Sequence, residues 1–223
     1  MNWQALALTA RLASLVSLIL MLVGVPIALW VAYSQRRWKF FAESVVALPI
    51  VLPPTVLGFY VLVALGSDTS FGRWFQQVTG RPLAFTFTGL VIASVLFSLP
   101  FAVHPMVAGF RSVDSKLLAA ARTLGAGKFK VYSQIVLPLS WPSLLTGLVL
   151  SFAHTVGEFG VVLMVGGNIS GITRTLSIDI YDQVEALNYH SANVTALMLL
   201  IFSYLLLCLV YGLNQKLVLW GTR

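Results

Sequence analysis

The residues that most often perform chemistry are few in this chain, and they do not form a catalytic set. His104, His154 and His190 are far apart and lack the spacing of metal ligands. No serine, histidine and aspartate occur in an order that suggests nucleophilic catalysis. The Gly-x-x-x-x-Gly-Lys-Ser/Thr loop that cradles nucleotide phosphates is also missing. The sequence therefore predicts no catalytic residue, no metal site and no cofactor bound by this chain.

One acidic residue, Glu158, stands inside a long apolar run. Acids in such surroundings are costly, and they usually have a function. His154 lies four residues earlier and would share a helical face with Glu158, so a local pair between them is expected. We interpret Glu158 as a residue of a gate or of a helix interface.

Composition identifies the surroundings as a membrane. Hydrophobic residues make up 58% of the 223 residues and charged residues only 9%. A soluble domain carries about 25% charged residues, so these charges are too few to cover a water-soluble globule. The net charge is +7, but the basic residues form no run or motif typical of nucleic-acid binding. We therefore interpret the chain as an integral membrane protein without a nucleic-acid partner.

Five apolar stretches are long enough to cross the hydrocarbon core, which requires about 20 residues. They run over residues 10–32, 45–65, 85–110, 139–165 and 194–213. The predicted fold is therefore all-α and integral to the membrane, with about five transmembrane helices between residues 10 and 213.

The charges of the connecting segments predict the orientation. Ten of the fourteen basic residues fall in three segments that share one side: 33–44, 111–138 and the end of the chain after 213. Basic residues collect in cytoplasmic loops. The N-terminus is then outside, and the C-terminus with Lys216 and Arg223 is cytoplasmic.

The second stretch contains Pro49, Pro53 and Pro54. Proline removes helical hydrogen bonds, and in lipid the freed carbonyls need other partners. This stretch is predicted to be a kinked or broken helix packed inside the bundle or lining a cavity.

The cytoplasmic segment 111–138 has the signals of a short helix at the membrane face. Asp114 is a suitable N-cap and Gly125 a suitable left-handed terminator. Leu117, Leu118, Ala121 and Leu124 recur at helical spacing and are expected to form one apolar stripe. A second short helix is expected to start near Lys128. An interfacial helix lying among lipid headgroups is the alternative interpretation.

The spacing within this segment resembles the coupling motif in permease subunits of binding-protein-dependent ABC importers. That motif reads Glu-Ala-Ala, three residues, Gly, nine residues, Ile, one residue, Leu-Pro. The residues in register are Ala120, Ala121, Gly125, Ile135, Leu137 and Pro138. Ala119 occupies the glutamate position, which departs from the motif and removes an acid that helps dock the helix on the ATPase. The resemblance implies that Leu117, Leu118 and Ala119 also belong to the ATPase-coupling surface.

Other segments are similar to molybdate permeases in particular. They are Leu48–Gly58, Ala121–Gly127, Gly157–Gly160 and Gly166–Leu176. The resemblance implies the type I ABC importer fold, a homodimer, two copies of a separate ATPase that binds ATP and Mg²⁺, and an extracytoplasmic oxyanion-binding protein. It also implies the cytoplasmic (inner) membrane of a prokaryote. Tungstate or sulfate permeases are near alternatives, and an ion-coupled secondary transporter is a more distant one.

A path for a divalent oxyanion should be mildly polar, because a fixed positive charge would hold the ion too tightly. The candidate path hydroxyls are those of Thr55, Ser98, Ser151 and Thr155. Alternatively, each hydroxyl bonds a carbonyl of its own helix or joins two helices.

The basic residues of the predicted external loops are candidates for docking the binding protein. They are Arg73, Arg81 and Arg174. Arg174 follows a glycine-rich turn near the expected mouth of the path and is the strongest of the three. Anchoring of a helix end at lipid headgroups is the alternative role for Arg174.

Overall fold

The structure, a computed structural model, describes residues 2–221, with side chains described for residues 2–212. Every regular element in that part of the chain is helical. In order they are α1 (Trp3–Tyr33), α2 (Lys39–Val51), α3 (Pro54–Leu65), α4 (Ser70–Thr79), α5 (Phe87–Ser112), α6 (Ser115–Thr123), α7 (Lys128–Val131), a π-helical turn (Tyr132–Val136), α8 (Leu137–Leu139), α9 (Trp141–Gly157), α10 (Gly160–Gly166), α11 (Leu176–Glu185) and α12 (Tyr189–Gly221). Arg223 and the side chain of Lys216, both in the predicted cytoplasmic tail, lie outside this description.

Three helices, α1, α5 and α12, are long and apolar enough to cross a membrane, counting the described residues. Two bent pairs pass the same test: α2 with α3, bent by 113°, and the α7–α8 stretch with α9, bent by 72°. Up to five spans result if each bent pair is one span. The all-α membrane architecture predicted from the sequence is confirmed.

The ends of the helices differ from the apolar stretches in two places. α1 begins at Trp3, because the side chain of Asn2 accepts a hydrogen bond from the Ala5 N–H and caps the helix. The predicted fourth span, 139–165, is divided: α9 ends at Gly157 and α10 starts at Gly160. Glu158 therefore lies at a helix end and not within a continuous helix.

The predicted break in the second stretch is confirmed. α2 ends at Val51 and α3 starts at Pro54, with Leu52 and Pro53 in extended conformation between them. Pro53 and Pro54 provide no N–H groups, and proline disfavours helical conformation in the residue before it. The sharp bend between α2 and α3 follows from this pair.

Two hydrophobic clusters organise the bundle. The main core joins α1, α5 and α9 and includes Leu12, Leu20, Met106 and Leu144. Leu118 of α6 belongs to the same core, which therefore extends from the spans into segment 111–138. The second, the α3–α10 cluster, comprises Val61, Leu65, Leu83, Ala93, Phe97, Val161 and Val165.

Small residues let α5 and α9 approach closely. A Cβ placed on Gly147 would lie 2.7 Å from the carbonyl oxygen of Ala102, which leaves no space for a side chain. Ser140 Oγ donates a hydrogen bond of 3.1 Å to the Gly109 carbonyl and is buried. The two helices that flank segment 111–138 therefore pack with their backbones close together, as small residues permit in membrane bundles.

Candidate functional site

The predicted caps of α6 are both present. Asp114 Oδ1 accepts a hydrogen bond of 2.8 Å from the Lys116 N–H. Gly125 has φ +82°, and two backbone bonds close the helix end: Ala126 N–H to Ala121 O at 3.0 Å and Gly125 N–H to Arg122 O at 2.9 Å. This pair of bonds is the Schellman arrangement, which requires a left-handed residue after the helix. The predicted second helix is α7, and it starts at Lys128.

The predicted single apolar stripe of α6 is wrong. Leu118 is 7% exposed and packs into the main core, and Ala121 packs partly against it. Leu117 and Leu124 are 50% and 88% exposed and project away from the core. The stripe divides because α6 lies against the bundle, and adjacent leucines on a helix face directions about 100° apart.

The other predicted coupling residues differ in their exposure. Ala119, Ala120, Gly125 and Pro138 are exposed, while Ile135 and Leu137 are half-buried. Phe129, which the sequence interpretation did not select, is 85% exposed at the start of α7. A large aromatic residue in a basic loop is the signal that could have identified it, because an exposed large hydrophobic patch marks an interaction surface.

Three of the four candidate path hydroxyls gather between α5 and α9. Ser98 Oγ lies 2.9 Å from Thr155 Oγ1 and 2.9 Å from His154 Nδ1. Thr155 Oγ1 donates to the Ser151 carbonyl at 2.8 Å, and Ser151 Oγ donates to the Leu148 carbonyl at 2.9 Å. All three hydroxyls are buried. Ser98 and Thr155 join the two helices, and Ser151 bonds a carbonyl of its own helix. Thr55 is exposed beside the break between α2 and α3.

Counting protons along this network fixes the tautomer of His154. Thr155 has a single hydroxyl proton, and it goes to the Ser151 carbonyl. Thr155 can therefore only accept from Ser98, and Ser98 in turn can only accept from His154. His154 then carries its proton on Nδ1. Its ring is stacked on Phe101 at a centroid distance of 3.8 Å.

Glu158 caps α10 instead of pairing with His154. Its Oε1 accepts a hydrogen bond of 2.8 Å from the Val161 N–H, and the residue is 6% exposed. The expected pair with His154 is not formed, since His154 binds Ser98 and Glu158 has extended backbone angles, φ −67° and ψ 133°. A spacing of four residues brings side chains together only while the helix continues.

The break at Glu158 lies against the break at Pro53. A Cβ on Gly160 would lie 2.8 Å from Pro54 Cβ, and a Cβ on Gly58 would lie 2.9 Å from Met164 Cβ. α3 and α10 therefore pack at a distance that only glycine permits at these two positions. Neither glycine was selected from the sequence, because the partner of each lies about 100 residues away in the chain.

We expect the hydrogen bond of Glu158, and not its charge, to matter for the fold of this junction. Glu158→Gln keeps an oxygen that can accept from Val161 and should retain at least half of wild-type transport. Glu158→Leu removes the acceptor and leaves a buried N–H unpaired, at a cost of about 1–3 kcal/mol. Its transport should fall several-fold at equal membrane insertion, measured by uptake into membrane vesicles. Loss of transport in Glu158→Gln would show instead that the carboxylate charge is needed.

The glycine-rich turn after α10 is held by a polar network around Arg174. Arg174 Nε donates to Asn168 Oδ1 at 2.7 Å, and its terminal nitrogen lies 3.3 Å from Asp182 Oδ2. Asn168 Nδ2 donates to Asp182 Oδ1 at 2.7 Å and closes the triangle. Asn168 has φ +58°, a conformation that asparagine tolerates better than most residues. The sequence Gly-Gly-Asn predicts this turn, but the contacts of Arg174 and Asn168 with Asp182 depend on the position of α11.

The other two candidate docking arginines lie elsewhere. Arg73 is exposed on α4, and Arg81 is exposed just after it. No carboxylate among residues 2–212 forms an ion pair with either side chain. Over the same residues, no three His, Cys, Asp or Glu side chains are grouped so as to hold a metal ion.

The fold of the described residues resembles that of solved ABC transporters. A crystal structure of a bacterial ABC transporter involved in the import of the acidic polysaccharide alginate is similar with a TM-score of 0.77. That match covers 96% of this chain and 78% of the other, at 16% sequence identity. At this identity the likeness shows the fold alone.

Sequence comparison gives the family. The family model "binding-protein-dependent transport system inner membrane component" matches residues 24–219. The molybdenum transport system permease protein ModB of Azotobacter vinelandii is 48% identical over 208 residues, 93% of this chain and 92% of that protein. ModB of Escherichia coli K12 is 37% identical, over 82% of this chain and 80% of that protein. This chain belongs to the family of inner membrane components of binding-protein-dependent transport systems.

Proposed function

We propose that this chain is the transmembrane permease subunit of an ABC importer for molybdate. The observation that carries the proposal is the 48% identity to a molybdenum permease over nearly the whole length of both chains. A separate ATPase subunit hydrolyses ATP with Mg²⁺, and this chain provides the path across the membrane. Tungstate and sulfate are the alternative oxyanions.

The proposed assembly is a homodimer of this chain with two ATPase subunits and an extracytoplasmic oxyanion-binding protein. Exposed Leu117, Leu124 and Phe129, with the small residues Ala119 and Ala120, give the ATPase an apolar surface without the usual acid. Because Leu118 on the same short helix is buried in the main core, a displacement of α6 is transmitted directly to α1, α5 and α9.

For the path we propose the region where the two broken helices meet. Thr55 is exposed there and remains a candidate for weak contact with the oxyanion. Ser98 and Thr155 form their hydrogen bond between α5 and α9, and the Ser151 hydroxyl bonds the Leu148 carbonyl within α9. They would reach a path only in a state in which these two helices separate.

Reconstitution of the complete importer tests the function. The chain is co-expressed with a candidate ATPase and a candidate binding protein, purified and placed in liposomes. We expect the ATPase to co-purify and radioactive molybdate to enter the vesicles only with ATP and the binding protein. Strong competition by tungstate or sulfate would reassign the cargo, and uptake that needs an ion gradient but no ATPase would contradict the proposal.

The orientation proposed from the loop charges places the N-terminus outside and α6 in the cytoplasm. A cysteine introduced at Arg36 or Arg37 should then resist a membrane-impermeant thiol reagent in intact cells. A cysteine at the exposed end of α4, for example at Thr79, should react. Ready labelling of the cysteine at position 36 would contradict this orientation and support the reverse one.

Arg174 is expected to support docking by shaping the external turn, and not as a free charge. Arg174→Glu places a carboxylate beside Asp182, so stimulation of the ATPase by the binding protein should fall at both low and high salt. Arg73→Glu and Arg81→Glu change unpaired rim charges, whose effects should depend on salt. Exchange of the pair, Arg174→Asp with Asp182→Arg, should partly restore stimulation. An Arg174→Glu defect that vanishes at high salt would favour a direct charge contact.

A further inference from the structure

Arg11 is a charged residue within the first membrane helix. It follows Trp3 by eight residues, which is about 12 Å along the axis at 1.5 Å per residue. The 31 residues of α1 extend about 46 Å, some 16 Å more than a hydrocarbon core of about 30 Å. If this excess is shared between the two ends, Arg11 lies near the boundary between hydrocarbon and headgroups.

The guanidinium of Arg11 is held at this depth without a negative partner. Its Cζ lies 4.6 Å from the ring centre of Phe87, and the side chain is exposed. None of the described carboxylates forms an ion pair with it. The stacking on Phe87 orients the group and leaves its N–H donors free for an acceptor outside the protein.

A groove of about 450 Å³ surrounds this guanidinium. Gln4, Leu8, Phe87, Gly171 and Ile172 line it together with Arg11. Gly171 has φ +74°, and a Cβ built on it would lie 3.8 Å from Gln4 Oε1. The groove thus combines one cation, one amide and apolar walls at the level of the headgroups.

The helix surface that continues from Arg11 into the membrane is apolar and faces outward. Leu15, Leu18 and Leu22 follow at helical spacing and are 37%, 58% and 69% exposed. Leu12 and Leu20, which point in other directions from the helix axis, are fully buried in the main core. The face that carries Arg11 therefore points away from the core, and its leucines extend about 16 Å below the guanidinium.

We propose that this groove binds the headgroup of one phospholipid in the leaflet at the N-terminal end of α1. Arg11 donates hydrogen bonds to the lipid phosphate, Gln4 adds a polar contact, and the acyl chains lie along Leu15, Leu18 and Leu22. A phosphate diester fits because it supplies the anionic acceptor that the guanidinium lacks, and because the acyl chains of a lipid also cover the leucine surface. A lipid of net negative charge, such as phosphatidylglycerol, should bind more tightly than a zwitterionic one.

Native mass spectrometry of the purified full-length chain, titrated with dioleoylphosphatidylglycerol, tests the site. Wild type should retain one lipid per chain, and Arg11→Gln should bind it roughly tenfold more weakly, as expected for loss of a charged hydrogen bond. Arg11→Lys should be intermediate, because it keeps the charge and loses the planar fork. Lys116→Gln is the matched control, because it removes one positive charge at the opposite end of the bundle.

Competition separates the lipid from other anions. Inorganic phosphate or molybdate at millimolar concentration should not displace the lipid. Displacement by either ion would identify a site for free anions, and equal lipid retention in wild type and Arg11→Gln would overturn the proposal. If Arg11→Gln does not fold, the comparison of wild type with Arg11→Lys decides, since a headgroup site predicts weaker retention in the lysine variant.

Discussion

Gly125→Val should nearly abolish ATP-driven transport while the protein still inserts into the membrane. Gly125 has φ +82°, and a Cβ built there meets nothing within 4 Å. The cost of the substitution is therefore conformational and not steric. A left-handed conformation costs an ordinary L-residue about 1–2 kcal/mol, and a β-branched residue more. Valine should open the Schellman end of α6, so that the helix continues or frays.

The consequence of an altered helix end is uncoupling. The turn at Gly125 directs the chain from α6 into α7 and sets the position of the exposed Leu124 and Phe129. With that turn lost, the ATPase should still hydrolyse ATP, but oxyanion uptake should fall by about tenfold or more, the scale set by the lost backbone energy. Uptake and hydrolysis are measured on the same proteoliposomes.

Gly127→Val is the matched control for this prediction. Gly127 lies two residues further along the same loop, has no positive φ, and a Cβ there also meets nothing within 4 Å. Its transport should remain close to wild type. Equal defects in the two variants would mean that any bulk in this loop disturbs the ATPase contact. Full transport in Gly125→Val would show that the left-handed turn is not required.

Local signals along the chain predicted the parts of the fold that depend on nearby residues. The caps of α6 at Asp114 and Gly125 follow from contacts within two to five residues, and both are present. The break before Pro54 follows from the geometry of proline itself. These features need no knowledge of the rest of the bundle.

The features that were missed depend on where helices end and on how they pack against one another. Glu158 was expected to pair with His154 along a continuous helix. The helix instead ends at Gly157, and the Glu158 carboxylate caps α10. Leu117 and Leu118 look equivalent in the sequence, and only the position of α6 against the main core separates them. Arg174 looks like a free cation until α11 places Asp182 beside it. For Leu118 and Arg174 a contact between elements determines the role of the residue, whereas for Glu158 the local break after Gly157 does so.

The second large effect on transport is expected from a substitution at the contact between the two helix breaks. Gly160→Val should strongly reduce transport, because a side chain there collides with Pro54, whose Cβ would be 2.8 Å from the new Cβ. Both partners belong to helix starts, so neither can adjust by rotating a flexible side chain. Overpacking of this kind costs about 1–3 kcal/mol. The added volume should separate α3 from α10 and disturb the α3–α10 cluster.

Gly157→Val is the control on the other side of the same break. A Cβ on Gly157 meets nothing within 4 Å, and the residue lies only three positions before Gly160. The amount of folded Gly157→Val in the membrane should stay close to wild type, since surface substitutions change stability by roughly 0.5 kcal/mol or less. Insertion of both variants is checked by their amounts in the membrane.

Gly160→Val, which separates α3 from α10, should leave a different activity intact than Gly125→Val, which alters the end of α6. In Gly160→Val the coupling surface is unchanged, so the ATPase should still co-purify and the loss should concern passage of the oxyanion. Gly160→Ala should lose less uptake than Gly160→Val, because it adds only the Cβ that meets Pro54 and not the two further methyl groups of valine. Uptake equal to wild type in Gly160→Val would mean that α3 and α10 move apart freely. Equal losses in Gly160→Ala and Gly160→Val would place the effect of Gly160 in the backbone of the break, and not in the volume that contacts Pro54.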